Sequence, residues 1–176
     1  GCMTLDRLDV YTVETDDLLW ALPRLMLAWD GQWFLKVHDE LDWETAVCLN
    51  ARVRAAFGRI EMRMMLKALG KRYADDVPDA VRVIRTYVGQ VFAAGFEGDF
   101  RATEARMETY VTECAAWEGA KRAALEGTNQ ACIACEGLWR AWFRTLLPNR
   151  NVGVNIHESM GEGDARCHIV VEVERL

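Results

Sequence analysis

The sequence predicts an α+β fold, with an N-terminal helical half packed on a C-terminal antiparallel sheet that carries two further helices. Apolar residues recur at helical spacing from residue 15 to about residue 95. After Gly98 the period drops to two, most clearly where Met107, Thr109 and Val111 alternate with Glu108, Tyr110 and Thr112. The strand-like runs also come in pairs with short connections, which favours antiparallel pairing.

Each element follows from local chemistry. Thr15-Asp16-Asp17 offers an N-cap ahead of Leu18, Leu19, Leu22, Leu25 and Met26. Pro23 sits near the first turn or kinks the segment. Asp30-Gly31 is expected to end this helix, and a second is predicted over 32–41 with Trp33, Phe34, Val37 and Leu41 on one side. Asp42 caps a long third helix carrying Ala46, Val47, Val53, Phe57, Ile60, Met64 and Leu66, and Gly70 suits its end. Asp75-Asp76-Val77-Pro78 leads into a helix over 78–94, striped by Val81, Ile84, Val88, Val91 and Phe92. At least four helices are therefore expected before residue 96. Strands are predicted over 99–103 and 107–112, a short helix over 115–125, and a turn at Gly127-Thr128-Asn129. A helix over 130–147 stops at Pro148. Paired strands at 152–158 and 167–174 complete the plan.

Length and composition bound the rest. A chain of 176 residues is expected to form a single domain, residues 1–176, with a helical half over 15–95 and an α+β half over 99–176. No Pro/Gly/Ser-rich linker divides the halves. A compact chain of this mass exposes roughly 8,700 Å², which leaves a core that needs no disulfide staples. Hydrophobic residues make up 51% of the chain, which excludes intrinsic disorder. The net charge of −6 argues against a general phosphate-binding surface, so no nucleic-acid partner is expected. Arg52, Arg54, Arg59 and Arg63 read as a solvated helix face. No apolar run reaches the ~18 residues of a membrane span, and no signal peptide is visible, so a cytoplasmic location is the default expectation.

The six cysteines are unevenly placed, and four lie at or beyond Cys114. Cys114 falls at a strand end. Cys132 and Cys135 open a helix at CxxC spacing, His157 lies at the end of a strand, and Cys167 begins the last strand. Thiolates and imidazole select zinc or iron, so a metal set of Cys132, Cys135 and Cys167 with Cys114 or His157 is a candidate. The alternative is that these cysteines are small core hydrophobes, as Cys48 is expected to be. Glu158 and Asp164 are candidates for acid–base chemistry, with solvated hairpin residues as the alternative. His168 is expected on the sheet face opposite Cys167, because neighbouring strand residues alternate. Trp20, Trp29, Trp33 and Phe34 line an apolar pocket or form ordinary core, and Trp117, Trp139, Trp142 and Phe143 repeat that choice.

Thr112-Glu113-Cys114, Cys132-Ile133-Ala134-Cys135 and Glu162-Gly163-Asp164-Ala165-Arg166-Cys167-His168-Ile169 together resemble the vinyl-4-reductase domain and the L-2-amino-thiazoline-4-carboxylic acid hydrolase family. The resemblance covers about residues 100–176, and its sharpest element is Gly163-Asp164-x-x-Cys167. Trp29-Asp30-Gly31-x-Trp33-Phe34 and Phe57-Gly58-Arg59-Ile60-Glu61 resemble an uncharacterised bacterial family often grouped with that hydrolase. The resemblance implies a fold related to vesicle-tethering subunits of the TRAPP type, with a small-ligand or metal site near the cysteines.

The leading expectation is a domain that binds a metal, zinc or iron, and a small molecule. A hydrolase of a cyclic amidine or thiazoline amino acid is the second reading, with metal-activated water and Glu158 or Asp164 as base. The third is a homodimeric interaction module that pairs through its N-terminal helices and keeps structural cysteines.

Overall fold

The computed structural model describes residues 12–91, 95–124 and 132–175. Two 26-residue helices open it, α1 (Thr15–Glu40) and α2 (Trp43–Ala68). Asp42 caps α2 as expected, accepting from Thr45 N at 2.7 Å, and Gly70 leaves the helix at φ +66°. Helix α3 (Val77–Thr86) starts at Asp76, whose carboxylate accepts from Asp79 N, and runs into a π-helical turn, Tyr87–Val91. Strand β1 (Phe96–Ala102), strand β2 (Arg106–Cys114) and helix α4 (Ala115–Ala123) follow. Helix α5 (Ala134–Leu146), strand β3 (Arg150–Glu158), a short 3-10 turn (Met160–Glu162) and strand β4 (Cys167–Arg175) complete the order.

The strands form one antiparallel sheet in the order β1-β2-β4-β3. Its inner face carries Met107, Val111, Val152, Val154, Ile169, Val171 and Val173, all buried. Helices α2, α3 and α5 supply the facing layer through Met62, Met65, Val81, Ile84, Trp139, Trp142, Phe143 and Leu146. The most extensive helix pairing is α2 with α5. Gly58 allows it, since a Cβ there would lie 2.7 Å from Leu138 Cδ1 and 3.2 Å from the Trp142 ring.

Several expectations are corrected. Asp30-Gly31 does not end a helix, so three α-helices and a π turn precede residue 96 among the described residues, not four helices. One glycine costs a helix only about 1 kcal/mol, and the packing of Phe34 edge-on against Trp43, with centroids 5.4 Å apart, carries α1 across the site. Pro23 lies inside α1 and is buried. The inward stripe of α2 is Gly58, Glu61, Met62, Met65 and Leu66, whereas Val53, Ile60 and Met64 face solvent. Cys48 is exposed rather than core. Trp20 and Trp29 are exposed and belong to neither core nor pocket wall, whereas Trp33, also exposed, lines a small apolar groove with Phe34. The turn expected at 127–129 lies outside the described residues, as does the start of the helix expected over 130–147.

Asp79 ties the α2–α3 connection together. Its carboxylate accepts from Lys71 Nζ at 2.6 Å, from Asp75 N at 3.1 Å and from Arg82 at 3.1 Å. Burial pushes its pKa up, but these donors outweigh burial and hold it below the ordinary 3.8. A depressed carboxyl contributes stability that is present above that ordinary value and lost as pH falls through the folded one. Asp79→Asn is expected to cost about 1–3 kcal/mol and to lower Tm by about 2–10 °C at neutral pH. In thermal melts the gap from the native chain should narrow once the pH drops below 3.8.

Candidate functional site

The hairpin of β3 and β4 turns through Ser159-Met160-Gly161 and Gly163, whose φ of +101° closes the loop where a side chain would be strained. Asp164 pins it by accepting from Ser159 N at 2.8 Å. The turn thereby aims donors at sulfur. Met160 N–H reaches Cys167 Sγ at 3.4 Å. The Ser159 hydroxyl hydrogen-bonds Cys132 and Cys167, and Gly161 N–H approaches Cys132.

Cys114, at the end of β2, and Cys135, in the first turn of α5, complete this neighbourhood. Both pack with Cys167 against the apolar core. Burial and repulsion from neighbouring sulfurs push the Cys132 thiol up to about 11. Cys135 is raised further, first by burial and then by Cys114, Cys132 and Cys167, with Arg54 opposing. The Cys167 thiol is raised mainly by burial. Cys114, Cys132, Cys135 and Cys167 therefore lie in one neighbourhood, near enough for their charges to influence one another.

His157 does not join them. A shift in the β3–β4 pairing between Ile156 and Glu158 sets its ring 5.1 Å from the His168 ring, on the outer face of the sheet. His168 lies there as alternation requires, stacked on Tyr110 at 4.4 Å and 2.7 Å from Glu108 Oε1. Arg166 covers Tyr110 from 4.3 Å and binds Glu158 at 2.7 Å. An open depression of about 580 Å³ adjoins this group, lined by Asp99, Arg101, Tyr110 and Arg166 among others. Its arginines already hold carboxylates, since Arg101 also approaches Asp99 at 3.4 Å. Of the two acid–base candidates, Glu158 is held by Arg166, which keeps its pKa below the ordinary value, and Asp164 is held by the Ser159 amide.

Hydrogen bonds from backbone amides and a hydroxyl to sulfur favour the thiolate, but burial outweighs them and raises the thiols of Cys132, Cys135 and Cys167. Among the described residues, no group of three or more His, Cys, Asp or Glu side chains is gathered so as to hold a metal ion.

A second polar group was not singled out in the sequence. Glu61 of α2 is only 4% exposed. It accepts from Tyr87 Oη at 2.7 Å and from Trp142 Nε1 at 2.6 Å, with Arg54 at 3.9 Å. Tyr87 opens the π turn, and its hydroxyl is pushed far above the ordinary range by burial and by the Glu61 charge. Arg54 is therefore not part of a solvated face. On the inner face of β2, the fully buried Thr109 Oγ1 has no hydrogen-bond partner, the one such side-chain atom found among the described residues. The sequence signal for Glu61 was a charged residue one position before Met62, in phase with Gly58 and Met65.

No protein-family model matches the chain, and no curated protein matches it. Solved structures do. The phenol-responsive sensory domain of the transcription activator PoxR, solved with phenol, matches with a TM-score of 0.52 and 10% identity over 85% of this chain and 73% of that one. An H-NOX protein from S. oneidensis in the Fe(II)NO ligation state matches with a TM-score of 0.44 and 14% identity, over 98% of this chain and 83% of that one. The first likeness shows a shared fold.

Thiol chemistry gives a direct check on the cysteine neighbourhood. At pH 8 a thiol shifted from 9.0 to about 11 carries roughly a hundredfold less thiolate. Among the described cysteines, iodoacetamide should label the exposed Cys48 before Cys132 and Cys135, which should react at least about tenfold more slowly, the higher nucleophilicity of high-pKa thiolates offsetting part of the difference. Site-resolved mass spectrometry follows each cysteine separately.

Proposed function

We propose that the chain is a ligand-binding, sensory-type domain that takes a small, largely apolar molecule with one hydrogen-bonding group into the interior between the sheet and helices α2, α3 and α5. The observation that carries this reading is the orphaned Thr109 hydroxyl. A buried hydroxyl without a partner costs about 1–3 kcal/mol, and a bound polar group would recover that cost. Glu61 supports the reading, because its hydrogen bonds from Tyr87 and Trp142 can be exchanged for bonds to a ligand. The π turn at Tyr87 is the kind of irregularity that recurs at functional sites. The fold shared with a phenol-responsive sensory domain makes phenol the natural first probe.

The vinyl-4-reductase-like reading of the C-terminal half belongs to the same proposal. In it, Cys114, Cys132, Cys135 and Cys167 would hold zinc or iron, which would supply a structural cross-link between β2, α5 and the β3–β4 turn. His157 would then act outside that set, beside His168. The binding reading is preferred to the hydrolase reading because Glu158 and Asp164 are both engaged by donors of their own turn.

Phenol at ten times its dissociation constant should stabilise the chain by about 1.4 kcal/mol, a Tm rise of roughly 3–6 °C. Thr109→Val should raise the Tm of the free protein by removing the orphaned hydroxyl, yet shrink the phenol response. Glu61→Gln should also shrink it. A phenol response that is absent, or unchanged in Thr109→Val, would overturn the reading. For the metal, elemental analysis after zinc loading should show bound zinc that falls in Cys167→Ser, together with a lower Tm, since metal-binding free energy is partly folding free energy.

A further inference from the structure

Helix α1 turns its buried positions, Pro23 and Val37, toward the body of the protein. A second apolar stripe runs along its outer side. Leu18, Leu22, Leu25 and Trp29 follow one another at spacings of four, three and four residues, the repeat of a helix-packing seam. Leu22, Leu25 and Trp29 are 58%, 64% and 73% exposed. Helix α2 carries a stripe of the same spacing, Val53, Phe57, Ile60 and Met64, and Met64 is 67% exposed. The two helices meet at a groove lined by Trp33 and Phe34 from α1 and by Leu49 and Val53 from α2. Trp33 and Val53, themselves exposed, connect the stripes at that groove.

We propose that this face of the α1–α2 pair is the interface with a second copy of the chain, forming a four-helix arrangement across a two-fold axis. The spacing is self-complementary, because a four-three repeat offers both the knobs and the holes that such a seam needs. The area is sufficient. With fully exposed Trp and Leu side chains contributing on the order of 150–250 Å², the exposed parts of the two stripes amount to roughly 800 Å² of apolar surface per copy, the size of one side of a standard interface. Monomeric proteins rarely leave an apolar patch above about 300–600 Å² open to water.

The test is the mass of the intact chain in solution, measured by light scattering after size exclusion. The native chain should run at twice its 20.0 kDa mass. Leu25→Glu/Trp29→Glu on α1, and separately Met64→Glu on α2, should each return it to 20.0 kDa with unchanged far-ultraviolet circular dichroism. Trp20→Ala, exposed but off the stripe, should leave the dimer intact. Two different helices are altered, so a folding failure in one variant leaves the other decisive. A native chain that is monomeric at micromolar concentration overturns the proposal, and so does a dimer that survives both variants. A monomer that instead co-sediments with phosphatidylcholine/phosphatidylglycerol vesicles overturns it in favour of a lipid surface.

Discussion

The carboxylate of Glu61 is the constraint around which the interior is arranged. It lies between the sheet-facing helices and holds Tyr87 and Trp142, which sit 26 and 81 positions further along the chain. A buried carboxylate without donors is strongly destabilising, so the α2–α5 approach and the placement of the π turn are set together. Gly58, one turn before Glu61, lets the Trp142 ring come close enough to donate. The edge-on contacts of Trp142 with Tyr87 and Trp139, with centroids 5.9 and 4.9 Å apart, then fill the space around that hydrogen bond.

From this centre the sheet divides the chemistry by face. The inner face of β2 and β4 is apolar except for Thr109 and, at its edge, the sulfurs. The outer face carries Glu108, Tyr110, His168 and Arg166 as one stacked, ion-paired group. The hydrogen bond to His168 is the largest influence holding the Glu108 pKa down. Cys167 and His168 are neighbours in β4, and that single step moves a side chain from beside the other cysteines to this outer group.

The helical half shows the opposite economy. Here α1 buries little, and its long apolar stripe is matched by another on α2. Short-range contacts such as the Phe34–Trp43 edge pair and the Asp42 cap hold the α1–α2 corner. They leave the outer stripes free to pack against something larger than a side chain.

Local sequence was enough to read the class of fold, the strand pairs and the helix start at Asp42. Caps and two- or 3.6-residue periods act over a few residues and need no tertiary partner. That Cys114 and Cys167 lie at strand ends and Cys135 in the first turn of α5 was also legible from local pattern. What only the tertiary structure decided is phase. The helical pattern of α2 points to Val53, Ile60 and Met64 as part of its inward stripe, whereas packing against α5 turns the side containing Gly58 and Glu61 inward. His157 was displaced from the sulfurs by a pairing shift that no pattern in β3 announces. The continuity of α1 through Asp30-Gly31 likewise depended on what Phe34 packs against. Periodicity fixes which residues share a face, but the direction that face points is set by contacts between residues far apart in the chain.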